Sequence, residues 1–145
     1  MRFERSPSRR DTAWAMSQEN VEIVRRAFGY EIYGLGDRAE AEAIFDPDFV
    51  MNPTEEGPSY GLDAIRDNFE RWAGAWEDLQ VTGEEFLDAG DRVLVTEHHS
   101  GRGRGSGIEV DTRLYSVYTV RDGKVVRADE YTERAEALAA AGLSE

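Results

Sequence analysis

The sequence predicts an α+β fold, a cone-shaped α+β barrel in which three to four helices pack on a strongly curved, mostly antiparallel sheet. Three observations lead there. Apolar residues recur at helical spacing in the first half, at Val21, Val24, Phe28 and Ile32, then at Leu62, Ile65, Phe69, Trp72 and Trp76. From Leu79 onward the period drops to two, and four strand patterns follow one another. Helices and strands are segregated along the chain, which is the α+β pattern. A long twisted sheet wrapped on helices leaves a mouth that is a natural pocket.

Each element has its own signals. Ser17 reads as the N-cap of the first helix, which ends near Gly34-Leu35-Gly36. Asp37 with Glu40 resembles a capping box opening a short helix through Ala43-Ile44-Phe45, and Asp46-Pro47 stops it. Residues 49–52 form a short strand, and Pro53 with Gly57-Pro58-Ser59 marks a loop. The third helix covers residues 62–76. Strands follow at 80–87, 92–100, 108–120 and 124–132. Ala89-Gly90-Asp91 and Asp122-Gly123 make tight hairpin turns, the second suited to type I′. Residues 101–107 are a flexible glycine–arginine connection. A terminal helix over residues 133–141 is closed by Gly142.

A chain of 145 residues suits one domain, assigned to residues 16–145. Residues 1–15 differ: they carry Arg2, Arg5, Arg9 and Arg10, lack hydrophobic periodicity and precede Met16. They are expected to be a disordered extension, or to follow an upstream start with Met16 as the native one. No apolar stretch follows Arg9-Arg10, so a twin-arginine export signal is rejected. The net charge is −13, and residues 16–145 alone carry 13 basic and 28 acidic residues, a net of −15. Such a body repels phosphate backbones and anionic lipid, so neither nucleic acid nor membrane is an expected partner. No apolar run approaches the ~20 residues of a membrane helix. The absence of cysteine excludes disulfides and thiolate–metal sites and fits a cytoplasmic location.

Ionisable residues inside the strand patterns carry the functional signal. Alternation places Val93, Val95, Glu97 and His99 on one face of their strand. On the last strand it places Val125, Asp129 and Tyr131 together. If both faces point inward, His99 and Asp129 make a proton-transfer pair or a buried ion pair; the remaining alternative is two residues that never meet. One register slip would reverse either set. Glu97 is a pocket acid, a rim carboxylate, or a carboxylate paired to Arg113. Asn52 orients a ligand or caps a loop; Tyr115, Tyr131 and Tyr30 offer hydroxyl donors; Trp72 and Trp76 supply core and pocket wall. Two adjacent histidines and scattered carboxylates do not make metal-ligand spacing, so no metal is expected, and no organic cofactor. Leu114, Tyr118 and Val120, with Val126 and Ala128 on the next strand, are expected on the outer sheet face, where an apolar patch would make a homodimer.

These motifs also carry a resemblance. Glu22-Ile23-Val24-Arg25-Arg26-Ala27-Phe28, Asp46-Pro47-Asp48-Phe49, Tyr60-Gly61-Leu62-Asp63-Ala64-Ile65, Ala75-Trp76-Glu77-Asp78 and Arg121-Asp122-Gly123-Lys124 resemble the nuclear transport factor 2-like (cystatin-like) superfamily. The branch is the SnoaL-like, polyketide cyclase-like one, and the resemblance covers residues 18–143. It implies a conical ligand pocket but no single function, because the fold hosts isomerases, cyclases, dehydratases, hydrolases and non-enzymatic binders. It also implies a last-strand aspartate as general base, a place that Asp129 matches, and Asn52 is similar to an early-strand asparagine of limonene epoxide hydrolases. The epoxide hydrolases' arginine–aspartate pair is not reproduced. The early-strand base of ketosteroid isomerases is replaced by Val50 and Asn52. His98 and His99 alternate, so they cannot face one cavity as the two histidines of scytalone dehydratase do.

The expected function is binding of a small, largely apolar molecule, with cofactor-independent acid–base chemistry (isomerisation, cyclisation, dehydration or hydrolysis) through Asp129 and His99. The alternative is a non-catalytic ligand-binding or dimeric interaction module.

Overall fold

The structure, a computed structural model, describes residues 9–33, 38–54 and 57–143. In chain order the elements are α1 (Arg9–Tyr33), α2 (Arg38–Ile44), β1 (Phe45–Asn52), β2 (Ser59–Tyr60) and α3 (Leu62–Gly74). Then come β3 (Trp76–Ala89), β4 (Arg92–Gly103), β5 (Glu109–Arg121), β6 (Lys124–Tyr131) and α4 (Arg134–Ala140). The strands form one mixed sheet in the order β2-β1-β6-β5-β4-β3. Only β1 and β6 run parallel. The sheet is not closed, since β2 and β3 remain at its edges, and the result is an open, cone-like α+β fold.

The two faces of the sheet are covered differently. On one, Val24, Ala27 and Phe28 of α1, Ile44 of α2 and Ile65 of α3 meet Phe45, Phe49, Val93, Val95 and Val125. On the other, Ala137 and Leu138 of α4 cover Leu94 and Val117. Val24, Phe45, Phe49, Val93 and Val95 are wholly out of water. Each such side chain contributes about 1.5–3 kcal/mol. Asp122 (φ 51°) and Gly123 (φ 77°) both take positive φ, as a type I′ hairpin requires. At the end of α4, Gly142 takes φ 79°, its N–H bonds Ala139 O at 3.0 Å, and Leu143 N–H bonds Leu138 O at 2.8 Å. This is a Schellman cap.

Several expectations are corrected. α1 already runs from Arg9, so Ser17 lies inside it rather than capping it, and residues 9–15 of the expected extension are helical. Residues 1–8, the Gly34-Leu35-Gly36 stop, Asp37 of the capping box and the side chains of Tyr30 and Ile32 lie outside the described residues. Asp46-Pro47 does not stop a helix but sits inside β1, where the pairing with β6 is irregular between Phe45 and Val50. Proline has no N–H to lose from a ladder, and Asp46 Oδ1 takes up the Asp48 N–H at 2.8 Å. Trp76 opens β3 instead of ending α3, and the expected loop holds the two-residue strand β2. Tyr118, Val120 and Ala128, expected outside at a dimer face, are 2%, 5% and 4% exposed in the main core of the chain itself. An apolar outer patch therefore cannot be built from them.

Candidate functional site

β4 obeys its alternation. Val93, Val95, Glu97 and His99 share the face covered by α1–α3, and all four are buried. At the end of that row the core turns polar. Glu97 and His99 are each only 5% exposed, so each must find partners within the protein. His99 Nε2 lies 3.2 Å from Glu97 Oε1. The Ser116 hydroxyl donates to the other carboxylate oxygen, Oε2. The Trp72 indole N–H donates to His99 Nδ1 at 3.2 Å, with the two rings edge-on at 5.4 Å.

The tautomer follows from the partners. An indole N–H only donates, so His99 Nδ1 accepts and carries no hydrogen. Nε2 then bears the proton and donates to Glu97. Both ring nitrogens are thus occupied, and the imidazole positions the Glu97 carboxylate rather than offering a free base. Glu97 receives one donor on each oxygen.

β6 breaks its alternation. Val120 pairs with Val125, but Thr119 pairs with Arg127, which leaves Val126 as an extra residue in β6. This bulge reverses the phase beyond it. Ala128 returns to the main core, and Glu130 falls opposite Ser116, which is itself opposite Val95. Directly paired residues share a face, so Glu130 faces the side of Glu97 and His99. Its Oε1 accepts from Thr54, from the backbone N–H at 3.4 Å and the hydroxyl at 3.3 Å. Burial raises the Glu130 carboxyl above the ordinary carboxylate value, and the Glu97 charge adds to the rise; the hydrogen bonds from Thr54 act the other way.

Asp129 and Tyr131 consequently take the opposite face, and the expected His99–Asp129 pair does not form. Asp129 is in register with Val117, and through it with Leu94, under α4 and well along β4 from His99. Its carboxylate accepts from Arg127 Nε at 2.8 and 2.9 Å and from Asn52 Nδ2 at 3.1 Å. Tyr115 and Tyr131 pair across β5 and β6 and pack on the α4 cluster. Burial, and then the Asp129 charge, raise the Tyr131 phenol. Arg113, the expected partner of Glu97, instead holds Glu84 at 2.6 Å. His98 points the other way from His99, to Asp111 at 2.8 Å.

Of the expected site residues, the structure brings together Glu97, His99 and Trp72, with the Trp76 ring tilted against Trp72 at 5.2 Å between ring centroids. It separates Asp129, Asn52, Tyr115 and Tyr131 from them. Sequence reasoning missed Glu130, Ser116 and Thr54. One signal was present: Val125 and Ala128 are both apolar at an odd spacing, so a strand that buries both needs an extra residue between them. Among the described residues no three His, Asp or Glu side chains are grouped to hold a metal, and no helix is long and apolar enough to cross a membrane.

Comparison with known proteins adds the family. The sequence matches the SnoaL-like domain over residues 24–128. Solved structures share the fold at low identity. A protein proposed to be a SnoaL-like polyketide cyclase from Jannaschia sp. CCS1 is 22% identical, with a TM-score of 0.70 over 99% of this chain and 100% of that one. An NTF2-like protein from Burkholderia thailandensis E264 is 24% identical, with a TM-score of 0.68 over 86% of this chain and 98% of that one. A hypothetical protein of ketosteroid isomerase-like fold from Catenulispora acidiphila DSM 44928, solved with trimethylamine, is 20% identical, with a TM-score of 0.63 over 85% and 94%. No curated protein matches the chain.

Proposed function

The chain belongs to the SnoaL-like domain family, and on that premise we propose that it binds a small, largely apolar molecule and moves a proton on it without a cofactor. Glu130 is the acid–base group in this reading, and Glu97, held by Ser116 and His99, is the fixed charge beside it. The observation that carries the reading is the contrast between the two carboxylates. Glu97 has a donor on each oxygen and is locked in place. Glu130 faces it, and its carboxyl is raised by burial and by that neighbour. Two acids pushed into different roles by their surroundings are the usual arrangement for proton transfer.

The chemistry balances simply. A C–H bond next to a carbonyl breaks, its proton goes to the Glu130 carboxylate, and the electron pair moves onto the carbonyl oxygen. Return of the proton to a different carbon gives an isomer. Attack of the carbanion on a second carbonyl gives a ring, with the proton delivered to the new alkoxide. The Asp129–His99 pair expected from alternation is replaced in this scheme because the two residues lie on opposite faces.

The test is hydrogen–deuterium exchange. Neutral ketones incubated with the protein in D2O should gain deuterium at the α-carbon, and Glu130→Gln should stop the exchange while leaving the fold intact. Exchange that survives Glu130→Gln would remove Glu130 from the mechanism. A second reading has its own observation: Glu97 and His99 are satisfied by protein partners and almost closed to solvent. That favours a non-catalytic ligand-binding module in which the cluster is structural, and it predicts ligand retention on purification with no exchange in any ketone.

A further inference from the structure

We propose that the indole N–H of Trp76 is the donor that holds a neutral oxygen acceptor of the bound molecule. The inference rests on the reading that this site takes a small molecule, and it names the residue that orients it. Trp76 Nε1 is shut off from solvent and has no hydrogen-bond partner among the described residues. An indole N–H can only donate, and a buried donor left unpaired is costly and rare in native proteins. The neighbouring Trp72 shows the contrast, because its N–H is spent on His99.

Trp76 is in register with Gly103 on β4, and the next residue of β4 on that face is Gly101. Neither carries a side-chain acceptor. The Ser106 hydroxyl lies beside Gly103 and accepts the Ile108 N–H at 3.3 Å, but it does not bond the Trp76 indole. A Cβ at Gly101 would come within 3.2 Å of the Glu77 carbonyl oxygen and the Leu79 Cα, so the backbone there fits glycine closely. The glycine–arginine segment also fixes the corner. Arg104 donates from Nε to Gly74 O at 3.0 Å and from Nη2 to Trp76 O at 3.1 Å, and its backbone N–H bonds Ala75 O at 2.9 Å. Trp76 is therefore anchored at its backbone while its indole N–H is left without a partner.

The same contacts limit the ligand. The Trp76 ring lies tilted against Trp72, Trp72 bonds His99, and His99 bonds Glu97, so the Trp76 side chain adjoins the carboxylate cluster. Glu97 and Glu130 would repel an anion there. The acceptor is therefore an uncharged oxygen, a carbonyl or ether, on an apolar body that packs on the two indoles.

The test uses 1-tetralone and its deoxy counterpart tetralin as probes of matched shape. The chain has three tryptophans, and Trp76→Phe identifies the Trp76 indole signal in a 15N–1H spectrum by deleting it. Tetralone should move that signal downfield, and tetralin should not. Trp76→Phe should weaken tetralone about three- to tenfold, the loss of one neutral hydrogen bond, and leave tetralin within twofold. Should Trp76→Phe not fold, the wild-type signal decides, assigned through backbone connectivities. Both probes binding with an unmoved Trp76 signal would overturn the assignment and leave the small-molecule site standing. An indole proton already downfield and slow to exchange without ligand, and unmoved by tetralone, would assign it to bound water and also overturn it. Binding of neither probe up to millimolar concentration would overturn both the assignment and the site.

Discussion

Replacing Trp72 by phenylalanine tests the cluster at its least conspicuous member. The change keeps an aromatic ring against His99 but removes the N–H that reaches Nδ1 at 3.2 Å. His99 is 5% exposed, so water cannot readily replace the donor. A buried acceptor stripped of its partner costs about 1–3 kcal/mol, and trimming a half-buried indole to a phenyl adds about 1 kcal/mol of lost contact. The expected destabilisation is therefore about 2–4 kcal/mol. For a chain near this size roughly 2–4 °C of melting temperature goes with each kcal/mol, so Tm should fall by about 4–16 °C. Because volume and hydrogen bonding are mixed in the single variant, a double-mutant cycle with His99→Phe isolates the pair and should give a coupling of about 1 kcal/mol or more. The imidazole 15N signals should show hydrogen on Nε2 alone in the wild type, and exchange between tautomers in Trp72→Phe. A wild-type imidazole protonated on Nδ1, or a coupling indistinguishable from zero, would refute the assignment of His99 as a positioning group.

Three further substitutions bear on the same geometry. Because the folded state raises the Glu130 carboxyl, through burial and then Glu97, it holds that proton more tightly than the unfolded chain. The resulting stability is present below the ordinary value of 4.5 and is lost as pH rises through the folded-state value. Glu130→Gln should thus match wild type in urea unfolding at low pH and exceed it at neutral pH; equal stability at every pH would contradict the environment assigned to Glu130. Gly83 pairs with Glu97, and a Cβ there would sit 2.8 Å from the Phe86 ring and 3.0 Å from Phe28, so Gly83→Ala should cost about 1–3 kcal/mol in denaturant unfolding. An unchanged midpoint would mean that the aromatic floor beneath Glu97 yields freely. Asp129→Asn should lower stability by about 1 kcal/mol by weakening the contact to Arg127 while leaving ligand binding and exchange activity unchanged; loss of activity with stability intact would return Asp129 to the site.

The unequal legibility of β4 and β6 has a single physical origin. Along β4 every inward residue from Val93 to His99 keeps the period of two, so Val93 and Val95 correctly fix the direction of Glu97 and His99. The helical stripes of α1 over Val21, Val24 and Phe28 and of α3 over Leu62 and Ile65 are readable for the same reason, since a constant period propagates from any anchor, whereas Trp76 falls in β3. β6 inserts Val126, and a period carried from Val125 is then out of phase for every later residue. The letters alone do not show where the extra residue stands, because its placement is set by pairing with β5, on a different part of the chain. The consequence is chemical as well as geometric. Asp129 and Glu130 are neighbours with similar side chains, and the bulge decides which one is desolvated beside Glu97 and which is held by Arg127 and Asn52. Without Val126 the same residues would turn Asp129 and Tyr131 toward His99. The identity of the acid in this cluster is thus determined by one unpaired residue three to four positions away, which carries no functional group of its own.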